Sequence, residues 1–175
     1  VGALVIPISS GNTARQIKFM RDFKSTALIS TPTYALRIAE IMKDEGVKPE
    51  DLSLKWGLFG GEPWSEAIRK QIDTDLGLFA TDNYGMSEVM GPGVSYECLE
   101  RKGMHVAEDQ FIIEMIDPET EQPVEPGAVG EIVLTTLTKQ AVPVLRYRSR
   151  DLSRLFYEPC PCGRTGVRME KVRGR

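Results

Sequence analysis

Lys55-Trp56-Gly57-Leu58-Phe59-Gly60, then Gly61-Glu62-Pro63-Trp64, then Ser65 to Gly77, then Leu78-Phe79-Ala80-Thr81 is the stretch that decides the fold. Its two ends are apolar runs of strand length. Its middle repeats Ile68, Ile72 and Leu76 at four-residue spacing, the period of one helix face, and stops at Gly77, a residue suited to a helix C-terminus. Strand, helix and strand in that order predict a right-handed crossover between parallel neighbours.

The same grammar extends outward. Val1–Ile8 and Thr26–Ser30 read as further strands. Thr13 and Gln16 make a capping box ahead of Ile17, Met20 and Phe23, and a second helix runs from Pro32 to Gly46, with Pro49 beyond it. The class predicted is α/β, a mainly parallel sheet with flanking helices. After about residue 103 the pattern changes to short strands with turn chemistry between them. Gln110–Ile116 and Glu131–Leu137 are joined through Asp117-Pro118 and a Glu/Pro/Gly-rich loop, and Asp151–Tyr157 and Val167–Val172 flank Pro159-Cys160-Pro161-Cys162-Gly163. This predicts an α/β nucleotide-binding subdomain over 1–102 and a small antiparallel β subdomain over 103–175, with no flexible linker.

Composition narrows the function. The 175 residues are 41% hydrophobic and 27% charged, and 22 basic against 25 acidic side chains leave a net charge of −3. Those are the proportions of a soluble globular domain, and no basic face is available for nucleic acid. No apolar run reaches the roughly 18 residues that a membrane span needs. Three cysteines are too few for a disulfide framework, so a reducing cytoplasm is expected. Val1 opens inside an apolar run and Arg175 follows Val172-Arg173-Gly174 without a cap, so both ends are expected to be cuts through a larger fold. Removed layers would bare apolar sheet surface and favour a homodimer.

In open parallel sheets ligands bind outside the carboxyl ends of the strands. Gly60-Gly61-Glu62-Pro63-Trp64 and Asp82-Asn83-Tyr84-Gly85-Met86-Ser87-Glu88 fall there. Paired glycines admit a flat ligand, Tyr84 offers a ring face, Ser87 a hydroxyl for phosphate and Glu88 hard oxygens for Mg²⁺. Each segment alone also reads as local structure, the first as a strand-to-helix turn and the second as a turn with Ser87 capping a helix. Two of them at adjacent strand ends favour a nucleotide site.

Asp82 to Gly93 closely resembles the aromatic-Gly-x-Ser/Thr-Glu motif of adenylate-forming enzymes, in the form carried by the phenylacetate–CoA ligase family. Gly60 to Trp64, Gly130-Glu131, Leu145 to Leu152 and Cys160 to Thr165 resemble the same family in the same order. The resemblance implies part of the large N-terminal domain of such enzymes. It places Gly61 and Glu62 against adenine with Tyr84 beside it, and counts Gly60, Asp82 and Gly85 among the nucleotide-binding residues. Ser87 would contact the α-phosphate, Glu88 would hold Mg²⁺, and Asp151 would accept from the ribose hydroxyls, with Arg175 also reaching the ribose. Arg146, Arg148 and Arg150 read instead as surface or domain-contact residues.

The implied reaction joins an aryl carboxylic acid of the phenylacetate kind to AMP and then to coenzyme A. The acyl pocket is expected around Phe59–Trp64 and Met86–Pro92, with Tyr34 as a wall. The family's phosphate loop is not matched by Ser9-Ser10-Gly11-Asn12-Thr13, which reads as a turn opening a helix. The chain alone is therefore expected to be inactive, missing both terminal portions of its own enzyme. An adenylyltransferase acting on another acceptor and a non-catalytic, zinc-stapled nucleotide-binding module are the alternatives.

All three cysteines and the single histidine occur as Cys98-x₆-His105 and Cys160-x-Cys162. Three thiolates and an imidazole make a closed tetrahedral set, the composition of structural zinc. The tight Cys-x-Cys also reads as buried thiols near a surface histidine. Some members of the resembled family carry zinc at this position, which favours the metal. A four-ligand ion has no open position and no catalytic part to play.

Overall fold

The computed structural model describes residues 2–8 and 11–174. Its elements in chain order are α1 (Thr13–Asp22), β1 (Ala27–Ser30), α2 (Pro32–Asp44), β2 (Trp56–Gly60), α3 (Glu66–Leu76) and β3 (Phe79–Met86), followed by β4 (Gly91–Glu97), β5 (Met104–Val106), β6 (Phe111–Ile116), β7 (Gly130–Thr136), β8 (Tyr147–Ser153), β9 (Leu155–Phe156) and β10 (Arg168–Met169). The strands run β1-β2-β3-β4-β5-β10-β9 in one sheet and β6-β7-β8 in another. The first three are parallel and separated by helices; every later pairing is antiparallel. The predicted α/β class with a separate small antiparallel sheet is the observed one.

Two compact units make up the chain, one of Val1–Leu58 with Trp64–Ala80 and the other of Phe59–Pro63 with Thr81–Arg175. In the first, α1 packs on α2 and α2 on α3. Ile17, Met20, Ala35, Ile38, Met42, Ile72 and Leu76 lie inside, the residues that helical period places on one stripe. Thr31 caps α2, accepting from the Tyr34 N–H at 3.3 Å, and Ser65 caps α3 through the Ile68 N–H at 3.3 Å. Gly77 ends α3 in the left-handed conformation at φ 63°.

Two expectations for this unit fail. Residues 2–8 form no strand, and Leu4 and Val5 are largely exposed, because no neighbouring strand among the described residues accepts their backbone groups. Thr13 is already helical; Asn12 is the cap, its side chain accepting from the Arg15 N–H at 2.9 Å. The reading of Gly11-Asn12-Thr13 as a turn opening a helix holds, while Ser9 and Ser10 lie outside the described residues.

In the second unit Tyr84, Val89, Val94, Met104, Val106, Phe111, Met115, Ile132, Leu134, Leu155 and Met169 form one buried cluster. Strands β4 and β5 went unread in the sequence, since Gly91-Pro92-Gly93 looks like a turn and buried Ser95 and Glu97 break the apolar alternation. The strand expected at Leu78–Thr81 continues to Met86, and it pairs antiparallel with β4 through a register shift between Tyr84 and Gly85. Ser87 and Glu88 therefore sit in the turn of a β-hairpin, not at a helix N-terminus.

Two glycines allow this packing. A side chain on Gly60 would collide with the Asn83 carbonyl oxygen and lie 2.8 Å from its Nδ2, and one on Gly85 would lie 2.7 Å from Pro92 Cα. Gly60→Ala should therefore destabilise the protein by about 2 kcal/mol or more, because backbone and not a flexible side chain must move. Urea unfolding measures this, and a loss below about 0.5 kcal/mol would contradict the close approach.

Candidate functional site

Strand β3 buries alternate residues, and Asp82 and Tyr84 are two of them. The Tyr84 hydroxyl donates to Asp151 Oδ2 at 2.9 Å, joining residues 67 apart in sequence, and both side chains are buried. The structure thus brings together the predicted stacking residue and the predicted ribose acceptor. Asp82 has Lys171 Nζ 3.8 Å from its Oδ2, while its N–H donates to the buried Glu97 carboxylate at 2.7 Å. Neither Glu97 nor Lys171 was singled out in the sequence.

Of the other predicted residues, Gly60 and Gly85 lie in β2 and β3, and Gly61, Glu62, Ser87 and Glu88 follow those strands. Ser87 and Glu88 are exposed at the β3–β4 hairpin, and Lys139 Nζ donates to the Glu88 carbonyl at 2.7 Å. This bond takes the backbone and leaves the Glu88 carboxylate facing solvent. Gly61 is exposed at φ 81°, a conformation that favours glycine, and Glu62 is half-buried. Gly60 and Gly85 are the tightly packed positions described above, so their missing side chains already serve the fold. Arg175 lies outside the described residues. Of the expected acyl-pocket residues, Phe59 is fully buried, Trp64 packs under the Arg69 guanidinium at 4.8 Å, and the Tyr34 hydroxyl sits 3.1 Å from Thr13 Oγ1.

Asp151 owes its place to a break in the β7–β8 ladder. Val133 pairs with Arg148 and Glu131 with Leu152, so Ser149, Arg150 and Asp151 oppose Ile132 alone. Arg150 takes the left-handed conformation at φ 64°, which costs a side-chain-bearing residue about 1–2 kcal/mol. Glu131, 1% exposed, offsets that cost: Oε1 accepts from the Arg150 N–H at 3.0 Å, and Arg148 Nη2 reaches Oε2 at 2.6 Å. Arg148 also bonds the Glu121 carboxylate and the Pro118 carbonyl. Arg148 is exposed at the surface and in addition supplies the cation that the buried Glu131 carboxylate requires. Exposed Arg146 pairs with Glu114 at 3.2 Å.

The Arg148 hydrogen bonds hold the Glu131 carboxyl below its ordinary value, against burial, which pushes it up. A depressed folded value means that the ion pair stabilises fully above the unfolded carboxylate pKa, about 4.3, and is lost as pH falls through the folded value. The stability margin of the wild type over Glu131→Gln should be constant from about pH 8 to about pH 5 and narrow below that. Urea unfolding across pH tests this; a margin that widens in acid would contradict the sign.

A second constellation lies in the same unit. Cys98, His105, Cys160 and Cys162 place one ligand atom each within 4.8 Å of one another. The Cys98 and Cys160 sulfurs are 3.7 Å apart, and Cys162 Sγ is 3.5 Å from His105 Nε2. All three cysteines are free thiols. Burial holds the His105 imidazole below its ordinary value, with Arg164 and Arg168 adding to the effect, which favours the neutral form that ligates a metal. The Arg164 N–H lowers the exposed Cys162 thiol, whereas burial raises Cys98. Among the described residues this is the one cluster of histidine, cysteine and carboxylate groups that could hold a metal.

The fold and its motif-bearing hairpin define the architecture of adenylate-forming enzymes. The chain belongs to the AMP-binding enzyme family, whose model matches residues 1–138. It is 51% identical to the phenylacetate-coenzyme A ligase of Thermus thermophilus over all of this chain and 40% of that protein. The Escherichia coli K12 phenylacetate-coenzyme A ligase is 46% identical, with the same coverage. A 2-hydroxyisobutyryl-CoA ligase crystallised with 2-HIB-AMP and CoA superposes with a TM-score of 0.89 at 28% identity, over 97% of this chain and 40% of that one. A benzoate CoA ligase from Burkholderia xenovorans LB400, 14% identical with a TM-score of 0.64 over 94% of this chain and 35% of that one, shares the fold. The chain thus spans about two-fifths of the length of the curated relatives it matches. Among the described residues no helix is long and apolar enough to cross a membrane.

Proposed function

We propose that the protein to which this chain belongs activates an aryl carboxylic acid, phenylacetate or a close analogue, on ATP and passes the acyl group to coenzyme A. The observation carrying this reading is the buried Tyr84–Asp151 hydrogen bond at 2.9 Å, on the strand that leads into the Ser87-Glu88 turn. It sets a ring and a carboxylate where one nucleoside can use both. The phenylacetate-coenzyme A ligases at 51% and 46% identity support the acid and the acceptor.

The carboxylate of the acid attacks the α-phosphorus of ATP, the bond to pyrophosphate breaks, and acyl-adenylate forms. The CoA thiolate then attacks the acyl carbon and AMP leaves with its phosphate oxygen. The residues mainly position and neutralise. Asp151 accepts from the ribose hydroxyls, a role a carboxylate fills with its two oxygens. The Tyr84 ring flanks adenine, and Gly60, Gly61 and Glu62 line the base, with Asp82 and Gly85 shaping the strand beneath. Ser87 donates to the α-phosphate, and the exposed Glu88 carboxylate holds Mg²⁺, which when bound neutralises phosphate charge. Arg175 is assigned to the ribose.

The test is isotope exchange between pyrophosphate and ATP in the full-length protein. Phenylacetate should drive exchange and CoA should then consume the adenylate. Exchange that responds to a different acceptor, with none for aryl acids, would overturn the reading in favour of an adenylyltransferase.

We assign structural zinc to Cys98, His105, Cys160 and Cys162. Zn–S and Zn–N bonds of ordinary length at a tetrahedral angle separate two sulfurs by about 3.8 Å and sulfur from nitrogen by about 3.6 Å. The separations of 3.7 and 3.5 Å fit this. Such an ion cross-links the β4–β5 segment to the Cys160–Cys162 knuckle and needs reduced thiols, which suits the cytoplasm. Purified protein should carry about one zinc per chain, and a chelator should lower Tm by about 5–10 °C. Metal-free protein with an unchanged Tm would reject the site.

A further inference from the structure

We propose that Glu131 is a positioning residue for ribose recognition: its buried carboxylate fixes the bulge Ser149-Arg150 and so aims Asp151 at the nucleotide. The inference rests on the assignment of Asp151 to the ribose. Glu131 touches both sides of the bulge, through the Arg148 guanidinium before it and the Arg150 N–H within it. Ser149 completes the clamp. Its hydroxyl donates to the Ile132 carbonyl at 2.8 Å and accepts from the Asp151 N–H at 3.0 Å. On the far side the β7–β8 ladder resumes with Glu131 opposite Leu152, whose N–H donates to the Gly174 carbonyl at 2.9 Å.

Without the bulge, the strict alternation of a strand would fix the Asp151 side chain by its register with β7 alone. Two extra residues reset that register, and the Arg150 and Asp151 N–H groups find partners in Glu131 and Ser149. The left-handed Arg150 persists because this clamp over-determines it. A bulge is a common device for re-aiming a side chain beside a site, and here the side chain is the one that meets Tyr84.

The experiment compares AMP with 2′,3′-dideoxy-AMP by calorimetry on the full-length protein. The wild type should prefer AMP by about tenfold or more, the scale of charge-assisted hydrogen bonds to two hydroxyls. Glu131→Gln should weaken AMP about tenfold and leave dideoxy-AMP unchanged, a pattern that general loosening of the fold would not produce. If Glu131→Gln does not fold, Ser149→Ala carries the test, with Ser149→Thr restoring the preference because the hydroxyl returns. A folded variant, Glu131→Gln or Ser149→Ala, that keeps the wild-type preference overturns the proposal. A wild type that does not distinguish the two nucleotides overturns instead the assignment of Asp151.

Discussion

A carboxylate that is 7% exposed must be given donors, and in this chain that requirement falls on Asp151. The Tyr84 hydroxyl supplies one, and its ring at the same time closes over the apolar cluster formed by Val94, Met104 and Met169. One residue therefore serves the core with its ring and Asp151 with its hydroxyl. Moving β3 by one residue would turn Tyr84 outward and leave Asp151 buried without that donor, so core packing and polar satisfaction specify the same register. Gly85, with no room for a Cβ beside Pro92, holds the hairpin at that register.

Much of this was legible in the sequence where periodicity was strong. Ile68, Ile72 and Leu76, bounded by Ser65 and Gly77, gave the third helix almost to the residue, because a stripe of that spacing has one way to be buried. Tyr84, Asp151 and the four metal-cluster residues were legible through residue chemistry and family resemblance, before anything placed them together. What stayed hidden were features fixed by partners distant in sequence. Glu131 sits in a run of apolar neighbours, and nothing local says that its charge is met by Arg148. Strands β4 and β5 were hidden because buried Ser95, Glu97 and His105 stand where the alternation predicts apolar side chains. Residues 2–8 show the converse: local strand propensity is not a strand until another backbone pairs with it.

The cysteine cluster illustrates how a chain with modest local order ties itself together. Strands β5, β9 and β10 span two or three residues each, too short to hold by ladder hydrogen bonds alone. Arg168 on β10 faces His105 on β5 across the ladder, and its guanidinium bonds the Lys102 and Glu158 carbonyls on either side. Cys98 and His105 precede and occupy β5, and Cys160 and Cys162 lie between β9 and β10. A tetrahedral ion at their centre would bind the same three short strands from their loop ends, adding cross-links where the sheet is weakest.

Glu131 and Glu88 are two carboxylates in opposite surroundings, one buried and one exposed. A buried charge needs an opposite charge or dense hydrogen bonding, and removing one partner of such a pair is worse than never having built it. Glu131 has both, a guanidinium and a backbone N–H, so its environment is closed and rigid. Glu88 has neither around its carboxylate; Lys139 anchors only its carbonyl. A satisfied carboxylate makes a fixed point for geometry, whereas a solvent-facing one keeps its lone pairs for a ligand. The contrast follows from burial: Glu131 and Ser149 bond the backbone on either side of Arg150, and Glu88, held only by its carbonyl, is open at its tip.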